Sequence, residues 1–294
     1  MANFKAIRIR IASVKSTRQI TSAMKMVSAA KLRKAQDKIV RLRPYANKLY
    51  DILVGLSQSL SDSEVENIYG RVSPPDKVLI VVITSNRGLC GAFNTNVIKE
   101  ARRTISENYP EQHKNGTLTL LTIGKKGYDY FRKLKVNMLP EQNNLLHDLT
   151  FENVSSVAEL VMNSFTSGEF DRVELIYNKF RNAAVQNLTN ELFLPVEEIP
   201  AGKVKTTPVD YIYEPSQEEI IEEIIPKSLK IQFYKAILNS FVAEHGARMT
   251  AMHKATDNAT SMIRDLTLQY NKARQASITN QILEVVSGAE ALKG

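Results

Sequence analysis

Two long apolar stripes at helical spacing, one at each end of the chain, constrain its fold more than any other feature. Stepping from Phe4 alternately by three and four residues visits Phe4, Ile7, Ile11, Val14, Arg18, Thr21, Lys25, Ser28, Leu32, Ala35, Ile39, Leu42, Ala46, Leu49, Leu53 and Leu56. Twelve of the sixteen are apolar, which is a heptad seam held in one register. The four polar positions are consecutive, Arg18 to Ser28. Apolar residues there stand at Ile20, Ala23, Met24 and Val27, so the helix is expected to turn a different face inward. At ~1.5 Å of rise per residue the segment is roughly 80 Å long. Pro44 falls inside it, yet the register continues through, which predicts one bent helix and not two.

The C-terminal third repeats the pattern. From Ile231 the same stepping reaches Tyr234, Leu238, Phe241, His245, Arg248, Met252, Ala255, Ala259, Met262, Leu266, Gln269, Ala273, Ala276, Asn280 and Leu283. Ser216 with Glu219 reads as a capping box, and Glu218, Glu222 and Glu223 suit a helix N-terminus. Pro226 is expected to kink or restart the helix, which then runs to about Val286, roughly 90 Å on. Gly246 reads as a weak point costing ~1 kcal/mol against alanine. Two such helices cannot bury their seams separately. Winding around each other as an antiparallel coiled coil solves the problem, with Ala255, Ala259, Ala273 and Ala276 permitting close approach.

Between them the texture changes. Residues 61–76, with Ser73-Pro74-Pro75, read as a linker after an N-terminal helix over 1–60. Residues 77–200 read as an α/β domain, 201–215 as a second linker, and 216–294 as the C-terminal helix. In the middle region Lys77–Thr84, Leu118–Ile123, Val173–Lys179 and Asn187–Pro195 read as strands. Helices are expected near Asn96–Glu107, Tyr128–Lys133 and Phe151–Phe165. This alternation predicts a Rossmann-like α/β domain with a mostly parallel sheet beside the long antiparallel helical pair.

Charge sharpens the picture. Residues 1–50 hold thirteen lysines and arginines against one acid, Asp37, although the whole chain carries only +8. So one-sided a bias predicts an acidic partner, either a nucleic acid or an acidic protein surface. Phe4, Tyr45 and Tyr50 are the only aromatic residues there, too few for a stacking platform. No run approaches the ~20 apolar residues of a membrane-spanning helix. The N-terminus lacks the apolar core of a leader, and the single cysteine fits a reducing compartment.

Candidate chemistry is sparse. The turn Ser85–Asn94 sits where a doubly wound fold would hold a nucleotide, which leaves a nucleotide-dependent enzyme as a rival reading. Its glycines, Gly88 and Gly91, make neither G-x-G-x-x-G nor a P-loop, and Lys125 and Lys126 stand where an acid would hold a ribose. They are expected to serve tight packing, and Cys90 to be a buried structural thiol. His245 and His253 are eight apart, too far for a metal pair, and are expected on the helix surface.

Taken together, several of these segments resemble the gamma subunit of the F-type, proton-translocating ATP synthase. The opening carries the likeness in Ile7-Arg8, Ile11-Ala-Ser-Val14, Ala23-Met-Lys-Met-Val27 and Arg43-Pro-Tyr45. The middle does so in Arg87-Gly-Leu-Cys-Gly91, Ile123-Gly-Lys-Lys-Gly127 and Tyr177-Asn-Lys-Phe180. The close does so in Ala247-Arg-Met-Thr-Ala-Met252, Ala255-Thr-Asp-Asn-Ala259 and Ala273-Arg-Gln-Ala-Ser-Ile-Thr279. The sequence departs from the family pattern at Asn86, where aspartate is usual, and at Gln281, where glutamate is usual.

The resemblance implies a central-stalk rotor: a helical shaft within a ring of alpha and beta subunits, meeting epsilon and the membrane c ring at its base. It implies that Met24, Lys25, Arg248, Arg274, Gln275, Thr279 and Gln281 touch beta subunits, with Met24 and Lys25 facing an acidic beta loop. It further implies no catalytic, cofactor or metal residues in this chain, since nucleotide and magnesium belong to alpha and beta. A place on the cytoplasmic face of a bacterial plasma membrane follows from the same likeness together with the missing leader. The other reading is a basic coiled-coil protein that binds nucleic acid.

Overall fold

The computed structural model describes residues 4–59, 68–71, 73–134, 136–196 and 217–292. The capping box expected at Ser216 lies outside them, as does the second linker. The chain forms two compact units, Met1–Ser28 with Arg248–Gly294, and Ala29–Ala247. Both long helices, α1 (Phe4–Ser59) and α6 (Gln217–Ala291), contribute residues to each unit. Pro44 and Pro226 lie inside these helices, and α6 runs five residues past the expected Val286.

The larger unit is built on strands β1 (Val78–Ile83), β2 (Leu118–Ile123), β3 (Asn137–Met138), β4 (Arg172–Phe180) and β5 (Gln186–Leu194) in the order β3-β2-β1-β4-β5. All pairings are parallel except β4 with β5. Every side chain of β1 is buried because both sheet faces are covered, which is why the strand reads as an unbroken apolar run. Alternation then deals its residues to two cores. Leu79, Val81 and Ile83 join α5 (Phe151–Thr166) and α6 on one face, with Ile39 and Leu42 of α1 packed against them. Val78, Ile80 and Val82 join α2 (Phe93–Glu107), Tyr109 and α4 (Lys125–Phe131) on the other.

Sequence reasoning missed β3 and the short helix α3 (Pro110–Asn115). Two residues and six residues are too short to show a period. A buried polar knot also escaped it. Glu174, 4% exposed, accepts hydrogen bonds from the Tyr109 hydroxyl, from Arg172 Nε at 3.1 Å and from Asn190 Nδ2 at 3.0 Å. Those partners satisfy a carboxylate that would otherwise be costly to bury.

Gly246 also has a packing role. A Cβ there would stand 3.2 Å from Ala183 Cα and 3.3 Å from the Phe180 ring, so glycine lets α6 press on the β4–β5 hairpin. His245, expected on the surface, is buried at 5% exposure with its ring 4.5 Å from that of Phe241.

The smaller unit consists of the first turns of α1 against the last turns of α6. The two hydroxyls of Thr21 and Thr256 lie 2.8 Å apart, and the rings of Phe4 and Tyr270 are 6.4 Å apart. Moving back along α1 therefore moves forward along α6, so the pairing is antiparallel. Two details differ from the sequence reading. The α1 stripe does not shift: Thr21 and Ser28 are buried and Lys25 half-buried, while Ile20 and Val27 are each 57% exposed. The polar seam is held by the threonine pair and by Thr21 Oγ1 donating to Arg18 O at 3.1 Å.

On α6, by contrast, alternate seam positions fall one residue later than expected. Ala259 and Leu266 are buried and Ile263, Tyr270, Ala273 and Ser277 half-buried, while Met262, Gln269, Ala276 and Asn280 are exposed. Ala259, Leu266 and Ala273 still recur every seven residues, as do Ile263, Tyr270 and Ser277, so the heptad repeat itself is kept.

Candidate functional site: the paired helix ends

The smaller unit leaves much apolar surface in water. On α1, Ile9 and Met26 are each 64% exposed, in addition to Ile20 and Val27. On α6 every described residue after Ser277 is exposed, including Ile282 at 58%, Leu283 at 57% and Val285 at 71%. The basic residues Arg8, Arg10 and Lys15 are exposed on the same stretch of α1. A helix end that is apolar on several sides, without a partner among the described residues, is a surface suited to being covered.

The residues singled out from the sequence do not form one cluster. Met24 and Lys25 are half-buried, one turn along α1 from Thr21. Arg248 is buried at 7% exposure. Arg274, Gln275, Thr279 and Gln281 are exposed near the end of α6. At 100° per residue Gln275 shares one helix face with Thr279, and Arg274 another with Gln281. Thr279 Oγ1 donates to Gln275 O at 3.0 Å, so this hydroxyl serves its own helix. The seven residues thus fall in three places: Met24 and Lys25 on α1, the buried Arg248 on α6, and the exposed end of α6.

The turn after β1 is packed against α6. Cys90, 1% exposed, and Phe93 pack with Ala243 and Ala247 of α6 and with Phe180, filling the place at the strand ends where such folds bind ligands. Asn94 Nδ2 lies 3.3 Å from Cys90 Sγ and 2.8 Å from Ser85 Oγ, which locks the turn from within.

Its glycines do not serve packing as expected, because no atom lies within 4 Å of a Cβ at Gly91, whose φ of +59° is what favours glycine. The tight glycine is Gly124, with φ +106° and a Cβ that would fall 2.3 Å from Thr84 O. Asn86 has a physical reason to be an amide. Its Oδ1 accepts from Lys125 N at 3.0 Å and its Nδ2 donates to Asn143 O at 2.9 Å, and an aspartate could not make the second bond.

Comparison with known proteins agrees over the whole length. The family model described as ATP synthase matches residues 3–292. The chain is 54% identical to the ATP synthase gamma chain of Flavobacterium psychrophilum and 55% identical to that of Flavobacterium johnsoniae, in both cases covering all of both chains. It belongs to the ATP synthase gamma-chain family. A chain of the Tetrahymena thermophila mitochondrial ATP synthase central stalk and c-ring structure aligns with TM-score 0.56 and 27% identity, over 80% of this chain and 99% of that one. A chain of the Euglena gracilis mitochondrial enzyme shares the fold at TM-score 0.65 and 23% identity, over 98% and 94%. This full-length kinship with gamma chains lends no support to the nucleic-acid reading.

Proposed function

We propose that this gamma-family chain is the central-stalk rotor subunit of a rotary F-type ATP synthase. In this reading it carries torque between the membrane c ring and the catalytic beta subunits, and so couples proton flow to ATP synthesis or hydrolysis. Residues 1–60 and 216–294 supply the shaft, residues 77–200 the side domain, and 61–76 and 201–215 the joints. The observation that carries the reading is the antiparallel pairing of the chain ends, with apolar and basic residues left uncovered, in a chain related to gamma chains throughout.

The mechanism is differential contact. A shaft of two unlike helices presents a different face to each of several identical subunits arranged around it. Each orientation therefore favours a different conformation in each neighbour, and nucleotide affinity shifts by the difference in contact energy. Met24 and Lys25 meet an acidic beta loop, while Arg248, Arg274, Gln275, Thr279 and Gln281 meet beta loops further along the shaft. Half-buried Lys25 and exposed Arg274 keep contact with water, so they attract such loops weakly enough for contacts to break and re-form.

The chain itself is non-catalytic and needs no cofactor. It sits peripherally on the cytoplasmic face of a bacterial inner membrane, with alpha, beta, epsilon and the c ring as partners. No helix among the described residues is long and apolar enough to cross a membrane. Co-expression with the alpha and beta subunits of its own organism tests the proposal: one stable ATPase complex containing this chain is expected. An active alpha–beta assembly that excludes it would refute the reading.

A further inference from the structure

The face of the α/β unit carrying α2 and α4 has a cleft of its own, about 700 Å³ in volume, between the last turns of α2, α3 and the segment after α4. Its floor is apolar: Ile105 and Phe131 are buried there, and Leu134 lies beside them 48% exposed. Its rim is basic. Lys99, Arg102 and Arg103 fall on one side of α2 at helical spacing. Arg103 is matched by acids, 2.5 Å from Glu100 and 4.0 Å from Glu107. Lys99 and Arg102 form no ion pair with a carboxylate among the described residues. Arg102 is nevertheless held in place, because its Nη1 donates to the Tyr130 hydroxyl at 3.1 Å.

Two cations without an ion pair among the described residues, one of them fixed, overhang apolar carbon that Leu134 and Val136 leave accessible. The volume lies within the ~300–1,000 Å³ typical of small-ligand sites. We propose that this cleft binds an amphiphilic organic phosphate, its anionic group on Lys99 and Arg102 and its apolar body over Leu134 and Val136. Either a lipid headgroup region or a soluble phosphate ester has this chemistry.

Isothermal titration of the purified full-length chain at 150 mM salt tests it, with monomeric dihexanoyl phosphatidate, phenyl phosphate and glycerol 3-phosphate as probes. Saturable binding of one or both apolar phosphates is expected, at least tenfold tighter than glycerol 3-phosphate. Binding of dihexanoyl phosphatidate alone assigns the site to a lipid, and equal binding of phenyl phosphate assigns it to a soluble ester. Arg102→Glu and Leu134→Asp should each weaken binding at least tenfold, whereas Lys15→Glu, a matched charge change on α1, should leave it unchanged. Absence of saturable binding, equal affinity for glycerol 3-phosphate, or equal loss in Lys15→Glu would overturn the proposal. Both cleft substitutions are at exposed positions, so circular dichroism matching the parent shows that lost binding is not lost fold.

Discussion

The two units of this chain use the same helices under opposite conditions. In Ala29–Ala247, α6 lies on a sheet whose residues are buried on both faces, and nearly every side chain from Phe233 to Ala247 is out of water. In the other unit α6 meets a single partner helix, so only one residue in three or four is covered, and past Ser277 none is. Buried apolar area is what stabilises a fold, at ~25 cal/mol per Å². One unit therefore holds itself together, and the other leaves its apolar surface for neighbours. That division suits a rotor, which needs a rigid body to receive torque and an uncovered shaft to deliver it.

Truncating cores should expose the contrast most strongly. Phe165→Ala, at a fully buried ring in the larger unit, is expected to cost about 3–5 kcal/mol in denaturant unfolding of the chain. Leu266→Ala in the smaller unit should cost under ~2 kcal/mol, below the usual 2–5, because a two-helix seam can close over the gap. Equal losses would break the comparison. Finer resolution comes from the threonine pair. Thr21→Val should lose about 1 kcal/mol, and a double-mutant cycle with Thr256→Val should show coupling between the two.

The last prediction is a pH effect confined to the larger unit. Burial, reinforced by Glu191 and Glu174 respectively, raises the hydroxyls of Tyr177 and Tyr109 far above the ordinary tyrosine value of 10.0. A raised folded-state value means that the folded chain keeps its protons longer than the unfolded one. This contribution is therefore complete below pH 10 and is lost as pH rises further. Tyr177→Phe should flatten the alkaline fall in stability seen in pH-dependent melting. An unchanged alkaline limb would show that other groups govern it.

How legible all this was in the sequence follows the same division. Heptad spacing marked both long helices, and the apolar run Val78–Ile83 marked the central strand, because burial on one line or on two faces leaves a pattern. The seam failed where its residues are polar or small. Thr21 looks like a gap until Thr256 is seen opposite it, and Met262 looks like core although the seam runs through Ile263 instead. Gly246 read as a weak point and Gly124 only as part of a motif, since what crowds them, Ala183 and Thr84, is distant in sequence. The functional surface was visible as a basic surplus in residues 1–50, but its contacts belong to other chains and no pattern in this one fixes them.

Single-molecule rotation tests the central claim most directly. A bead attached through Lys114→Cys, an exposed site on the α/β unit, would report motion of this chain within an assembly of immobilised alpha and beta subunits. Unidirectional turning of the bead when ATP is added is predicted, stopping when ATP is exhausted. Full-rate ATP hydrolysis beneath a stationary bead would contradict the account.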